Sequence, residues 1–115
     1  SPAAVALEVD AEGWLAAAGD VAAAGGQLLA LWTTSGSNAG APAIARAALL
    51  VDGRLLVLAL HIPAPAERYP GLQQIFPAAA RMQRAAADLT GVRSDGPDGR
   101  PWLLAFGFWQ IALRP

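Results

Sequence analysis

Between Asp10 and Ala24, apolar residues recur at helical spacing, with Trp14, Leu15, Ala18, Val21 and Ala22 on one stripe. Asp10 stands where an N-cap carboxylate accepts a backbone N–H, and Gly25-Gly26 supplies the stop. Gly19 costs roughly 1 kcal/mol relative to Ala in a helix interior, so the pattern also allows two shorter turns. Gln27 to Thr34 is too short for a typical helix and ends in β-branched residues before a Ser-Gly-Ser-Asn loop. It predicts a strand.

Two further apolar runs, Ile44 to Val51 and Arg54 to Ile62, flank Asp52-Gly53. That dipeptide readily takes the positive φ angles of a type I′ turn, which predicts a hairpin of fixed register. In its second arm Leu56, Leu58, Leu60 and Ile62 share one face, and Leu55, Val57, Ala59 and His61 the other. Both faces are largely apolar, which predicts an internal strand.

Pro63, Pro65, Pro70 and Pro77 punctuate the next stretch, where missing amide donors and restricted neighbours disfavour regular structure. An ordered connection over the sheet is expected. Pro77 suits the first turn of a second helix, in which Ala79, Met82, Ala86 and Leu89 form the apolar stripe and Gly91 the end. Arg81, Arg84 and Asp88 occupy a different stripe, turned to water or a partner, with Arg84 and Asp88 one turn apart. After the turn cluster Asp95-Gly96-Pro97-Asp98-Gly99, the aromatic-rich run Trp102 to Leu113 predicts one or two terminal strands. The pattern as a whole predicts an α+β two-layer domain over residues 1–115, with helices packed on one face of a mixed four- to five-stranded sheet.

Composition narrows the chemistry. At 115 residues the chain suits one core, and 55% hydrophobic against 15% charged residues excludes wholesale disorder. Eight arginines, no lysine and nine acids leave a net charge of −1, without the basic field that holds phosphate backbones, so nucleic acid is not an expected partner. The longest apolar run, Trp102 to Trp109, is far below the roughly 20 residues of a membrane span. The sole methionine is Met82, so a chain opening Ser-Pro-Ala is expected to be processed or cut from a longer one.

Reactive groups are scarce. With no cysteine, thiolate zinc sites, iron–sulfur ligation and cysteine nucleophiles are excluded together, and the lone His61 sits in an apolar strand where a satisfied structural role is the better reading. Ser35, Ser37 and Ser94 lie in glycine-rich loops, but a hydrolytic triad would have only His61 as its base. Gly25-Gly26 and the glycines at 36 and 40 lack the spacing of phosphate loops and read as turns. Four tryptophans and three phenylalanines read first as core, although aromatic faces also stack ligands. No catalytic residue, cofactor or metal is assigned.

One segment differs in kind. Tyr69-Pro70, Ile75-Phe76-Pro77-Ala78-Ala79, Arg84, Asp88-Leu89, Gly91-Val92, Pro97-Asp98 and Arg100-Pro101 follow one another in an order and spacing that resemble the signature of the complex I 30 kDa subunit family of NADH-quinone oxidoreductases. That family includes the corresponding domain of group 4 Ni,Fe-hydrogenases, whose branch the endings Arg100-Pro101-Trp102-Leu103 and Leu113-Arg114-Pro115 resemble. The upstream strands fit the same frame, so the resemblance covers nearly the whole chain. Gln83 and Ala85 replace two glutamates of the family pattern, Arg81 a tryptophan, Thr90 a phenylalanine, Gly71 a serine and Gly96 a histidine.

The resemblance implies a non-catalytic accessory domain, without flavin, cluster or metal, that packs beside the catalytic and iron–sulfur subunits of a hydrogenase or NADH:quinone oxidoreductase. It implies a cytoplasmic position, peripheral to the inner membrane through those partners. Tyr69, Pro70, Arg84, Asp88, Gly91, Pro97, Asp98 and Arg100 then become interface or loop-ordering candidates, against the simpler reading that Arg84 and Asp88 form a local pair and Asp98 orders a turn. Loss of both glutamates beside Arg84 implies a diverged partner contact, since an arginine fork without its carboxylates loses bidentate recognition. Two other classes stay open: a small-molecule-binding or hydrolytic domain, which requires a concave pocket with convergent polar groups, and a self-associating structural domain, which requires an apolar patch on an uncovered sheet face.

Overall fold

The computed structural model describes residues 4–36, 41–63 and 68–95. Its elements run β1 (Ala4–Val9), α1 (Ala11–Ala23), β2 (Gln27–Thr34), β3 (Ala43–Val51), β4 (Arg54–Ile62), β5 (Arg68–Tyr69), α2 (Ala79–Thr90) and β6 (Arg93–Ser94). Strands β1 to β4 form one mixed sheet in the order β1-β4-β3-β2, and β5 and β6 a short parallel ribbon. Both helices pack on the same face of the large sheet, so the α+β two-layer expectation holds. The terminal strands expected over 102–113, together with Pro97, Asp98 and Arg100, lie outside the described residues.

The local signals act as the sequence predicts. The Gly13 N–H donates to Asp10 Oδ1 at 2.8 Å, capping α1. Gly25 takes φ +82° beyond the helix end, and Gly19 does not break it. Asp52 and Gly53 take φ 52° and 72°, which set the β3–β4 hairpin with Val51 opposite Arg54 and Ala43 opposite Ile62. Strand β4 is internal, antiparallel to β3 and parallel to β1. β1 itself has no counterpart in the sequence pattern described above, and β5 is a two-residue strand inside the proline-rich connection.

The core forms where the helices meet alternate sheet positions. Trp14, Leu15, Ala18 and Val21 of α1 bury against Ala43, Ala45, Ala47 and Leu49 of β3 and Leu58, Leu60 and Ile62 of β4. The alanine run on β3 leaves room for the indole of Trp14, which is fully buried. On α2 the buried face is Ala79, Gln83 and Ala86, while Met82 is half-buried and Leu89 is 84% exposed. The apolar stripe expected through Leu89 is therefore rotated: the helix turns a glutamine inward and a leucine outward. No helix among the described residues is long and apolar enough to cross a membrane.

Candidate functional site

The connection between β5 and α2 is held from two sides. Trp14 of α1 donates its indole N–H to the Pro70 carbonyl at 2.9 Å, and its ring meets Tyr69 edge-on, with centroids 5.8 Å apart. From α2, Gln83 accepts the Leu72 N–H on Oε1 at 2.7 Å and donates from Nε2 to Gln73 Oε1 at 2.8 Å. The Leu72 carbonyl accepts from Ile75 and Phe76, and the Tyr69 carbonyl from Asp95 N at 2.7 Å. Backbone groups that proline-rich sequence withholds from a ladder are thus satisfied by one indole and one amide.

Tyr69 and Pro70 are both buried and belong to this strap. Burial pushes the Tyr69 phenol well above its ordinary range, and its hydroxyl has no hydrogen-bond partner among the described residues. Gly91 closes α2 at φ +79°, donating its N–H to the Ala87 carbonyl at 2.8 Å. Gln83 faces the strap, with both polar ends of its amide committed there.

Arg84 and Asp88 are exposed on the outer side of α2, and among the described residues no ion pair joins them, so the local-pair reading is not met. Arg84 instead lines a cleft of about 470 Å³ between α2 and the β5–β6 ribbon, together with Arg68, Arg93, Gln73, Gln83 and Ser94. Arg68 pairs with Asp95 at 3.7 Å. A shallower groove of about 290 Å³ runs between α2 and β2, edged by Leu29, Trp32 and Leu89. Its hydroxyls are consumed internally: Thr90 donates to the Ala86 carbonyl at 2.9 Å and pairs with Thr33 at 2.6 Å. Thr90 thereby ties α2 to the sheet.

The face of the large sheet turned away from the helices is the second broad surface. Register places Ala6 beside Val57, Val57 beside Ala48, Leu55 beside Leu50, and Trp32 beside Arg46 on that side. Ile44, Leu50, Leu55 and Val57 are half-buried there, and neither helix covers them. Strand spacing gives the face roughly 500 Å². His61 is exposed on it; its expected role as a satisfied structural histidine finds no hydrogen bond among the described residues. No group of three or more His, Cys, Asp or Glu among the described residues gathers to hold a metal.

No family model and no curated protein matches the chain. Among solved structures it is similar to the trypsin-resistant fragment, residues 1–134, of Nqo5, with a TM-score of 0.69 over 81% of this chain and 80% of that one, at 17% identity. The shared property is the fold.

Proposed function

We propose that the chain is a non-catalytic accessory domain of a membrane-associated oxidoreductase assembly of the NADH:quinone oxidoreductase or hydrogenase type, packing against catalytic and iron–sulfur subunits. The observation that carries this reading is the likeness of fold to the fragment of Nqo5, a complex I 30 kDa-type subunit. The residue pattern from Tyr69 to Arg100 points the same way. The strap pinned by Trp14 and Gln83 keeps the outer side of α2 in a fixed relation to β5 and β6, and a docking element needs such rigidity. Tyr69, Pro70 and Gly91 order that element from within. Arg84 and Asp88 face the partner, and Pro97, Asp98 and Arg100 stay interface or loop-ordering candidates on their sequence pattern alone. Through its partners the domain is peripheral to the inner membrane on the cytoplasmic side.

The test is purification of the tagged full chain from its native cells under gentle detergent, followed by mass spectrometry and iron determination. Stoichiometric recovery with an iron–sulfur subunit and a large catalytic subunit is the expected result. Elution of the chain alone, or turnover of a substrate by the chain alone, overturns it.

A second reading, self-association, is favoured by one specific observation: the open sheet face presents Ile44, Leu50, Leu55 and Val57 without a covering layer among the described elements. It predicts concentration-dependent sedimentation of the pure chain.

A further inference from the structure

We propose that the cleft walled by Arg68, Arg84 and Arg93 seats a carboxylate-bearing segment of a partner protein. The proposal rests on the docking reading above and names the chemistry of what docks there.

Charge is distributed unevenly along the sequence. The described residues up to 63 carry Glu8, Asp10, Glu12, Asp20 and Asp52 against Arg46 and Arg54, whereas residues 68–95 carry Arg68, Arg81, Arg84 and Arg93 against Asp88 and Asp95. Three of those arginines line the one cleft. Of them, Arg84 and Arg93 have no ion pair among the described residues. Arg68 has one at 3.7 Å between side chains that are 57% and 40% exposed, a geometry that contributes little in water. Three arginines thus line one cleft, and among the described residues Asp95 is the one carboxylate paired with any of them.

The walls explain why the cleft stays open. Ala80 and Ala87 flank Arg84 on α2 with methyl groups only, leaving a space of about 470 Å³ that a side chain or a peptide turn can enter. The floor cannot turn to fill it, because both polar ends of Gln83 are committed to Leu72 and Gln73. Arginine forks match carboxylates with two parallel hydrogen bonds each, and several carboxylates on one segment add their contributions without a new ordering cost for each. A nucleic acid is disfavoured because a chain of net charge −1 lacks the extended basic field that holds a phosphate backbone. A single small anion meets only exposed arginines, where water competes on equal terms.

Two measurements test the proposal. In the first, the full chain is titrated at low salt with a short glutamate-rich peptide and with its glutamine counterpart, reading the arginine side-chain N–H signals by NMR. The expected result is that the signals of Arg68, Arg84 and Arg93 move with the acidic peptide alone, those of Arg46 and Arg54 stay still, and Arg84→Gln with Arg93→Gln weakens binding by about tenfold or more. Equal binding of both peptides overturns the proposal. So does inorganic phosphate moving the same signals as strongly, or a self-association that the double substitution abolishes.

In the second measurement, Arg84→Glu with Arg93→Glu is carried on the tagged full chain in its native cells. Loss of the co-purifying subunits supports the cleft as the docking point. If the wild type brings its partners down and the variant does so equally, the cleft proposal fails while the accessory-domain reading stands. If the wild type elutes alone although the acidic peptide binds the cleft, the accessory-domain reading fails and the charge chemistry of the cleft remains.

Discussion

The indole N–H of Trp14 meets the carbonyl of Pro70 at 2.9 Å, joining the first helix to a proline-rich strap 56 residues further along the chain. Both groups are buried, so removing the donor strands an acceptor away from water. Trp14→Phe keeps most of the apolar volume and is expected to cost about 1–3 kcal/mol, the cost of an unmet buried polar group. Trp14→Ala adds a cavity and is expected to cost about 3–5 kcal/mol. Trp32→Phe, on the open face and 39% exposed, serves as the control and should change stability by about 0.5 kcal/mol or less. Urea unfolding of the three variants checks the ranking.

Tyr69 makes the alkaline stability of the domain unusually simple to read. It is the only tyrosine, and the chain has neither lysine nor cysteine, so above pH 9 no other side chain below the arginines loses a proton. Burial raises the folded-state pKa above the ordinary 10.0. The unfolded chain therefore ionises first and binds fewer protons. The stabilising contribution is whole below about pH 10 and declines as pH rises toward the folded-state value, by up to about 1.4 kcal/mol per pH unit. Tyr69→Phe should abolish that decline and change stability near neutral pH by about 1 kcal/mol or less, because the hydroxyl has no partner among the described residues. Thermal melts at stepped pH decide it; an alkaline slope that survives in the variant excludes Tyr69 as its source.

Gln83 shows where sequence patterning stops. The period of α2 is legible from Ala79 and Ala86, and so is its end at Gly91, because propensity and capping are local. Which polar residue turns inward is decided by the unpaired Leu72 N–H, eleven positions upstream, and nothing near Gln83 announces it. Leu89 departs from its expected place for the same reason: helical spacing puts it on the stripe, but β2 is the edge strand and the sheet ends before reaching it. The β3–β4 hairpin is legible to the residue because Asp52-Gly53 fixes register by itself. β1 escapes because its partner is β4, about fifty residues on in parallel pairing, and its alanines carry little strand preference. Of the cleft, Arg84 stands out in the residue pattern, whereas Arg68 and Arg93 come together with it only through the β5–β6 ribbon.

The Gln83 linkage carries its own expectation. Gln83→Leu leaves the Leu72 N–H buried without an acceptor and should cost about 1–3 kcal/mol. The effect should also be local. Hydrogen exchange at Leu72 should accelerate beyond that of the β3–β4 ladder, because the strap loses one of its two anchors. Uniform acceleration across the sheet would count against a local role.

Gly25 and Gly26 read alike as a helix stop, but the fold separates them. Gly25 takes φ +82°, and no atom lies within 4 Å of the place a Cβ would occupy, so Gly25→Ala meets backbone strain alone. That strain is about 1–2 kcal/mol. At Gly26 a Cβ would lie 2.6 Å from the Leu50 carbonyl oxygen and 2.9 Å from that of Val21. These are backbone atoms of the hairpin and of α1, which cannot move without separating helix from sheet. Gly26→Ala should therefore destabilise more than Gly25→Ala in paired denaturant melts.

Val57 lies at the centre of the open sheet face, with Ala6 on one side and Ala48 on the other. Both neighbours are small, so a longer side chain at 57 fits without crowding the sheet, and Val57→Lys should lower folding stability by only about 1 kcal/mol, the span of strand preference. Glu8, opposite Ala59 on the same face, is the one diagonal carboxylate within reach of a lysine at 57, and covering the face with another apolar surface would strip both charges of water at a cost their pairing does not fully offset. If copies associate through this face, the wild-type chain should sediment faster with rising concentration, and Val57→Lys should move that transition at least about tenfold higher, the equivalent of 1.4 kcal/mol. Equal, concentration-independent sedimentation of both proteins would exclude self-association through this face and assign it to water or to a different partner.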